Sequence, residues 1–303
     1  MKFNIDESIK SAVKSAFLIL KLIIPLFILA EVLLYWDVLQ YLTFIFEPIT
    51  DILDLPKEAS IGIATAMFFN IYAGLAFLAP LNLTPYEWTT LGLFLGVAHS
   101  MIIENTVMKK MGISYLYSWG LRIVMAFVAI LPLQLIPREY FQATGEVVET
   151  IERKVYGSFT DMLWQSLQDA TLLSLKVILI VTAIIFVMDY IKSRDFMQSY
   201  QEKTKRLFSL TAGLLLGITY GAGIIIAEVE KGTLNKSDIL YIATFLMVCH
   251  SIIEDILLFV IFGADGSIIL TIRVILAFIV SYILTFLYNK IRVKTSRPKK
   301  GNM

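Results

Sequence analysis

Ala98-His99-Ser100-Met101-Ile102-Ile103-Glu104 and Cys249-His250-Ser251-Ile252-Ile253-Glu254-Asp255 contain the only two histidines of this 303-residue chain. His250 lies 151 positions after His99, and a gapless shift by that amount keeps matching. Gly112 falls on Gly263, Arg122 on Arg273, Ala126 on Ala277 and Phe127 on Phe278. Both stretches sit inside long apolar segments, where ionisable groups are costly and mark a site rather than a surface. The chain therefore reads as two copies of one membrane module, each carrying a His-Ser, an acid and an arginine.

Composition agrees. Hydrophobic residues make up 57% of the chain and the mean hydropathy is +0.75, too apolar for an ordinary soluble domain. A net charge of +1 offers no basic field for nucleic acid. The lone Cys249 excludes an internal disulfide framework. No Cys/His spacing of metal-site type, phosphate-binding glycine loop or dinucleotide fingerprint occurs, so neither a metal nor a cofactor is expected. Adjacent His and Ser on a helix point about 100° apart and cannot form a nucleophile–base pair, so an enzyme is not expected.

Apolar runs predict an all-α polytopic protein with about eight spans, near 15–36, 58–80, 85–108, 115–136, 162–190, 207–228, 236–262 and 267–290. They group into a first repeat (1–136), a polar linker (137–160), a second repeat (161–291) and a basic tail (292–303), expected to be disordered. Segments 38–55 and 192–206 suit interfacial helices. If 38–55 instead crosses, the halves become inverted repeats. Eight spans with cytoplasmic termini follow the positive-inside rule, except that the basic block from Lys192 to Arg206 then faces outside.

Equivalent caps set equivalent depths. Thr84-Pro85-Tyr86-Glu87 is a capping box with proline at the first helical position, and Asn235-Lys236-Ser237-Asp238 repeats the arrangement. Past them, Ser100 and Glu104 share a helix face, as do Ser251 and Asp255. Glu104 and Arg122 stand about 12 and 15 Å either side of the turn at Gly112, close enough to pair across a hairpin. Asp255 and Arg273 stand in the same relation to Gly263. Each pair serves either as a structural clamp or as part of a site. In the second span Gly62, Ala66, Asn70 and Gly74 recur every four residues, a packing seam in which the Asn70 amide could line a pathway. Lys21 and Lys176 suit snorkelling near span ends, and Glu31 has no assigned role.

The run Leu55-Pro56-Lys57-Glu58-Ala59, the stripe to Asn70-Ile71-Tyr72-Ala73-Gly74, Ala98-His99-Ser100 and Gly112 together resemble the nucleoside-recognition, or Gate, domain family. Such domains occur in spore maturation proteins A and B, ferrous-iron permeases and concentrative nucleoside transporters. The resemblance covers most of the first half and returns more weakly over 210–287. It implies two Gate-type repeats bordering a transport or recognition cavity. The chain departs from those relatives: it has neither a GTPase domain nor the cysteine pattern of an iron permease, and it is shorter than a concentrative nucleoside transporter.

The expected function is a transporter or permease of the cell membrane with a polar site between the repeats. That site is formed by His99, Ser100, Glu104, Asn70, Arg122, His250, Ser251, Asp255 and Arg273. Its substrate is a nucleoside, another small solute or an ion, and protons are a candidate coupling ion through the histidines and acids. The alternative is a non-transporting membrane protein that assembles with a partner, as the spore-maturation resemblance allows. Expected partners are the lipid bilayer, the substrate, and a second copy or membrane protein; nucleic acid is not among them.

Overall fold

A computed structural model describes residues 4–38, 41, 43–142, 156–193, 214, 226, 229, 232 and 234–296. The described elements are all helical: α1 (Ile5–Tyr35), α2 (Glu47–Leu53), α3 (Ala59–Phe68), α4 (Ile71–Leu78), α5 (Pro85–Ala98), α6 (Met101–Lys110), α7 (Tyr115–Ile130), α8 (Glu139–Gln142), α9 (Phe159–Ser193), α10 (Lys236–Val248), α11 (Ile252–Val260) and α12 (Gly266–Ser296). Among the described residues, six helical stretches are long and apolar enough to cross a membrane: α1, α5–α6, α7 with its 3-10 extension, α9, α10–α11 and α12. The protein is thus a polytopic, all-α membrane protein. In α5–α6 and α10–α11, 72% of the most apolar window is buried, against 28–39% in the other four, so those two stretches form the centre.

The expected span at 58–80 is not a span. The helix stops at Phe68, and Asn70 turns extended (φ −162°, ψ 162°) while its amide oxygen accepts the Ala73 N–H at 2.9 Å, starting α4. The arms α3 and α4 then fold back on one another. A Cβ on Gly74 would lie 2.4 Å from Ala66 Cβ and 2.8 Å from the Gly62 carbonyl oxygen, so only glycine allows this approach. The small-residue stripe is the seam of a helical hairpin. The counterpart segment, 207–228, lies outside the described residues apart from isolated positions.

The flanking segments also differ from expectation. Within 38–55 the one α-helix among the described residues is the seven-residue α2, about 10 Å of rise and too short to cross. The 192–206 segment beyond Ser193 lies outside the described residues, as do 143–155 of the linker. The tail begins later than expected, because α12 continues to Ser296; 297–303 lie outside the described residues.

Cross-repeat contacts fix chain direction. Trp88, near the start of α5, stacks on Phe262 at the end of α11 with centroids 4.3 Å apart, and Thr89 Oγ1 accepts the Asp265 N–H at 2.9 Å. On the other side the Tyr117 hydroxyl, near the start of α7, meets Thr244 Oγ1 in α10 at 2.6 Å. So α5–α6 and α10–α11 run antiparallel. The outer pair does too: Ser8 donates to Asp189 Oδ2 at 2.8 Å, while Trp36 stacks on Phe159 at 5.0 Å. Sequence-equivalent helices point in opposite directions, the arrangement of inverted repeats.

With 58–80 returning to the side it left, the ends of α1, α9 and α12 that carry Ile5, Ser193 and Ser296 share one face. Lys10, Lys14, Lys109, Lys110, Lys236, Lys290 and Arg292 collect toward it, whereas the opposite face has Lys57 and Arg138 among the described residues. The positive-inside rule makes the first face cytoplasmic. Lys192, at the end of α9, lies on that face as well.

Candidate functional site

Both central stretches break at the same phrase. The helix ends at Ala98 and restarts at Met101; it ends again at Val248 and restarts at Ile252. Ser100 and Ser251 take left-handed backbone at φ 50° and 45°, which a β-carbon disfavours. A broken helix inside a bilayer leaves carbonyl groups that must find donors within the protein. The arginines supply them. Arg122 Nε donates to the Val97 carbonyl at 2.7 Å and its Nη2 to the His99 carbonyl at 2.6 Å. Arg273 Nε donates to Val248 O at 3.4 Å and its Nη2 to His250 O at 3.1 Å. Arg273 Nη2 also crosses to the other repeat, reaching Gly96 O at 2.6 Å. A Cβ on Gly96 would stand 2.9 Å from Arg273 Cζ, so any side chain there would push the guanidinium from this carbonyl. Met247 occupies the equivalent place in the second repeat, and the arrangement is asymmetric.

Each arginine also meets its acid. Arg122 Nη2 lies 2.7 Å from Glu104 Oε2, and both terminal nitrogens of Arg273 lie 3.4 Å from Asp255 Oδ2. Both guanidiniums are fully buried.

The histidines face one another across the repeat axis, with ring centroids 5.2 Å apart and exposures of 5% and 1%. His99 Nδ1 lies 2.7 Å from Leu95 O, and His250 Nδ1 lies 2.7 Å from Leu246 O. A carbonyl oxygen only accepts, so each Nδ1 carries the proton and each Nε2 points inward with a lone pair in the neutral ring. Glu104 Oε1 lies 3.2 Å from His99 Nε2 and 3.3 Å from His250 Nε2. Asp255 Oδ1 stands 4.0 Å from His99 Nε2. His99 and Glu104 do not share a helix face in a continuous helix; the break between them brings them together.

Ser100 and Ser251 act through their backbones, forming the breaks, and Ser100 N–H donates to Ala66 O of α3 at 2.9 Å. Asn70 caps α4. Two residues that repeat matching missed join the cluster: the Tyr72 hydroxyl of α4 donates to Glu254 Oε1 of α11 at 2.5 Å. Their equivalents under the 151-residue shift are Gly223 and Ile103, so a search for repeated chemistry passes over both.

A cavity of about 780 Å³ opens beside the non-cytoplasmic ends of α1, α9 and α11. Glu31, Lys57, Glu58, Tyr156, Asp169 and Lys176 line it. Glu31 and Lys176 thereby gain a common surrounding. The histidines are not on its wall; they sit in a closed cluster rather than an open polar cavity.

A 281-residue alignment at 26% identity relates this chain to the "Uncharacterized membrane protein YvoD" of Bacillus subtilis (strain 168), covering 89% of this chain and 90% of that protein. No family model matches the chain. No solved structure matches it.

Proposed function

We propose that this protein is a transporter of the cell membrane that moves a small solute or ion by alternating access about the His99–His250 axis. One observation carries the proposal: two inverted repeats each break a central helix at the same depth, and the breaks meet around buried imidazoles, carboxylates and guanidiniums. Discontinuous helices at an inverted-repeat interface are how many transporters build a midplane site. The outward cavity serves as a vestibule, and the closed cluster is the occluded step between access from either side. The resemblance to Gate-type modules supports the same class and makes nucleosides one substrate class to screen. The glycine seam that an assembly protein would present to lipid is instead consumed inside the α3–α4 hairpin, which disfavours assembly through that seam.

Cys249, fully buried beside His250 and the chain's single cysteine, is a native reporter. In proteoliposomes of the wild-type protein, a small membrane-impermeant thiol reagent should label Cys249 slowly when added on either side. Labelling only after denaturation would refute alternating access. Uridine, adenosine, amino acids and divalent cations, screened first by thermal shift, then identify the solute for flux assays.

A further inference from the structure

We infer that the axis is a binding site for one divalent transition-metal ion, held by His99 Nε2 and His250 Nε2 together with the Glu104 and Asp255 carboxylates. One ring nitrogen each of His99 and His250 and a carboxylate oxygen of Asp255 all lie within 4.8 Å of one another. A tetrahedral ion bound at about 2.0–2.1 Å separates its ligand atoms by about 3.3–3.4 Å. Glu104 Oε1 already stands 3.2 and 3.3 Å from the two ring nitrogens. Asp255 Oδ1 stands 4.0 Å from His99 Nε2 and would close on that nitrogen by under about 1 Å to share an ion with it.

The protonation pattern points the same way. With each Nδ1 donating to a carbonyl, both Nε2 atoms face the Glu104 carboxylate, an arrangement completed either by a proton on Nε2 or by a metal ion between the groups. The His250 Nε2, in a ring 1% exposed, has no hydrogen-bond partner among the described residues. An Nδ1–H held by a backbone carbonyl is also the outer-shell contact that orients metal-binding imidazoles. With both imidazoles neutral, Glu104, Asp255 and Glu254 against Arg122 and Arg273 leave one negative charge at the axis. Two imidazoles with carboxylates select a transition ion over magnesium or calcium. The sequence conceals the site because its histidines are 151 residues apart, with no local ligand spacing.

The inference deepens the proposed reading by naming the ion at its axis. Its test measures binding in detergent without a gradient, so failure here leaves the Cys249 labelling result untouched, and the reverse. Purified full-length protein, stripped with a chelator, is titrated with Co²⁺ and followed by its visible ligand-field bands. One Co²⁺ per chain, displaced by Zn²⁺, is expected. The His99→Gln/His250→Gln double variant should lose more than the roughly 100-fold that removal of a mere outer-shell partner costs. No binding at millimolar Co²⁺, or wild-type affinity in the double variant, overturns the site. Should that variant fail to fold, Cu²⁺-loaded wild-type protein is examined by electron spin echo spectroscopy. Modulation from the remote nitrogens of two imidazoles supports the site, and its absence overturns it.

Discussion

At the residue scale, the arginines hold two kinds of group at once: a carboxylate and the orphan carbonyls of a helix break. Replacing one strands both. Arg122→Gln should cost roughly 3–5 kcal/mol, the range for breaking a buried ion pair, read as a lower unfolding temperature in detergent. Arg273→Gln should cost at least as much, because Gly96 O loses its donor as well. An Arg273 variant as stable as wild type would show that the breaks do not depend on it. Gly96→Ala tests the crossing from the other side: the added methyl, 2.9 Å from Arg273 Cζ, should cost about 1–3 kcal/mol. The depth argument from caps and turn glycines pairs Glu104 with Arg122 and Asp255 with Arg273, and the structure has both contacts. The sequence places both histidines in one site between the repeats, and they do meet, in a closed cluster rather than the open cavity expected; the contact to Gly96 was not legible, because it depends on how one repeat meets the other.

At the element scale, the α3–α4 hairpin is the feature that hydropathy hides. Twenty apolar residues satisfy a length criterion whether they cross or turn back, and Asn70 in the stripe looks like any polar residue in a helix. Gly74→Leu should open the seam and destabilise by about 1–3 kcal/mol, with a corresponding fall in unfolding temperature. The start of α12 offers a pH-dependent test outside the membrane core. Asp265 accepts from Ser267 N–H at 2.9 Å, Ile268 N–H at 3.0 Å and the Ser267 hydroxyl at 2.6 Å, and Tyr140 donates to it at 3.1 Å. Burial disfavours its charge, but these hydrogen bonds outweigh burial and hold its carboxyl below the usual aspartate range. A depressed pKa means that its stabilisation is complete above about pH 4 and is lost as pH falls below it. Asp265→Asn keeps a capping side chain and loses the charge, so it should destabilise at pH 7 by about 0.3–1 kcal/mol, the worth of a negative charge at a helix N-terminus, and much less near pH 3. An equal effect at both pH values would remove the charge from the account.

At the scale of the molecule, the direction of the second repeat follows from the number of crossings. Single cysteines placed in a Cys249→Ala background at Gly112, between α6 and α7, and at Leu135, beyond α7, should react from opposite sides of sealed vesicles. Gly112 should share its side with the N-terminus; a shared side for both positions would refute the α7 crossing. Sequence alone determined the membrane class and the matched acid–arginine depths, because hydropathy, capping and helical rise act locally and carry over unchanged to any packing. Only the tertiary structure decided that the matching stretches run antiparallel and that the histidines close on one another without an open cavity. A single turn at Phe69–Asn70 removes one crossing and reverses all that follows, and left-handed serines at 100 and 251 break helices without a glycine or proline to mark the place. Those are backbone choices stabilised by partners far along the chain: Ala66 for Ser100, Arg273 for Gly96, Glu254 for Tyr72.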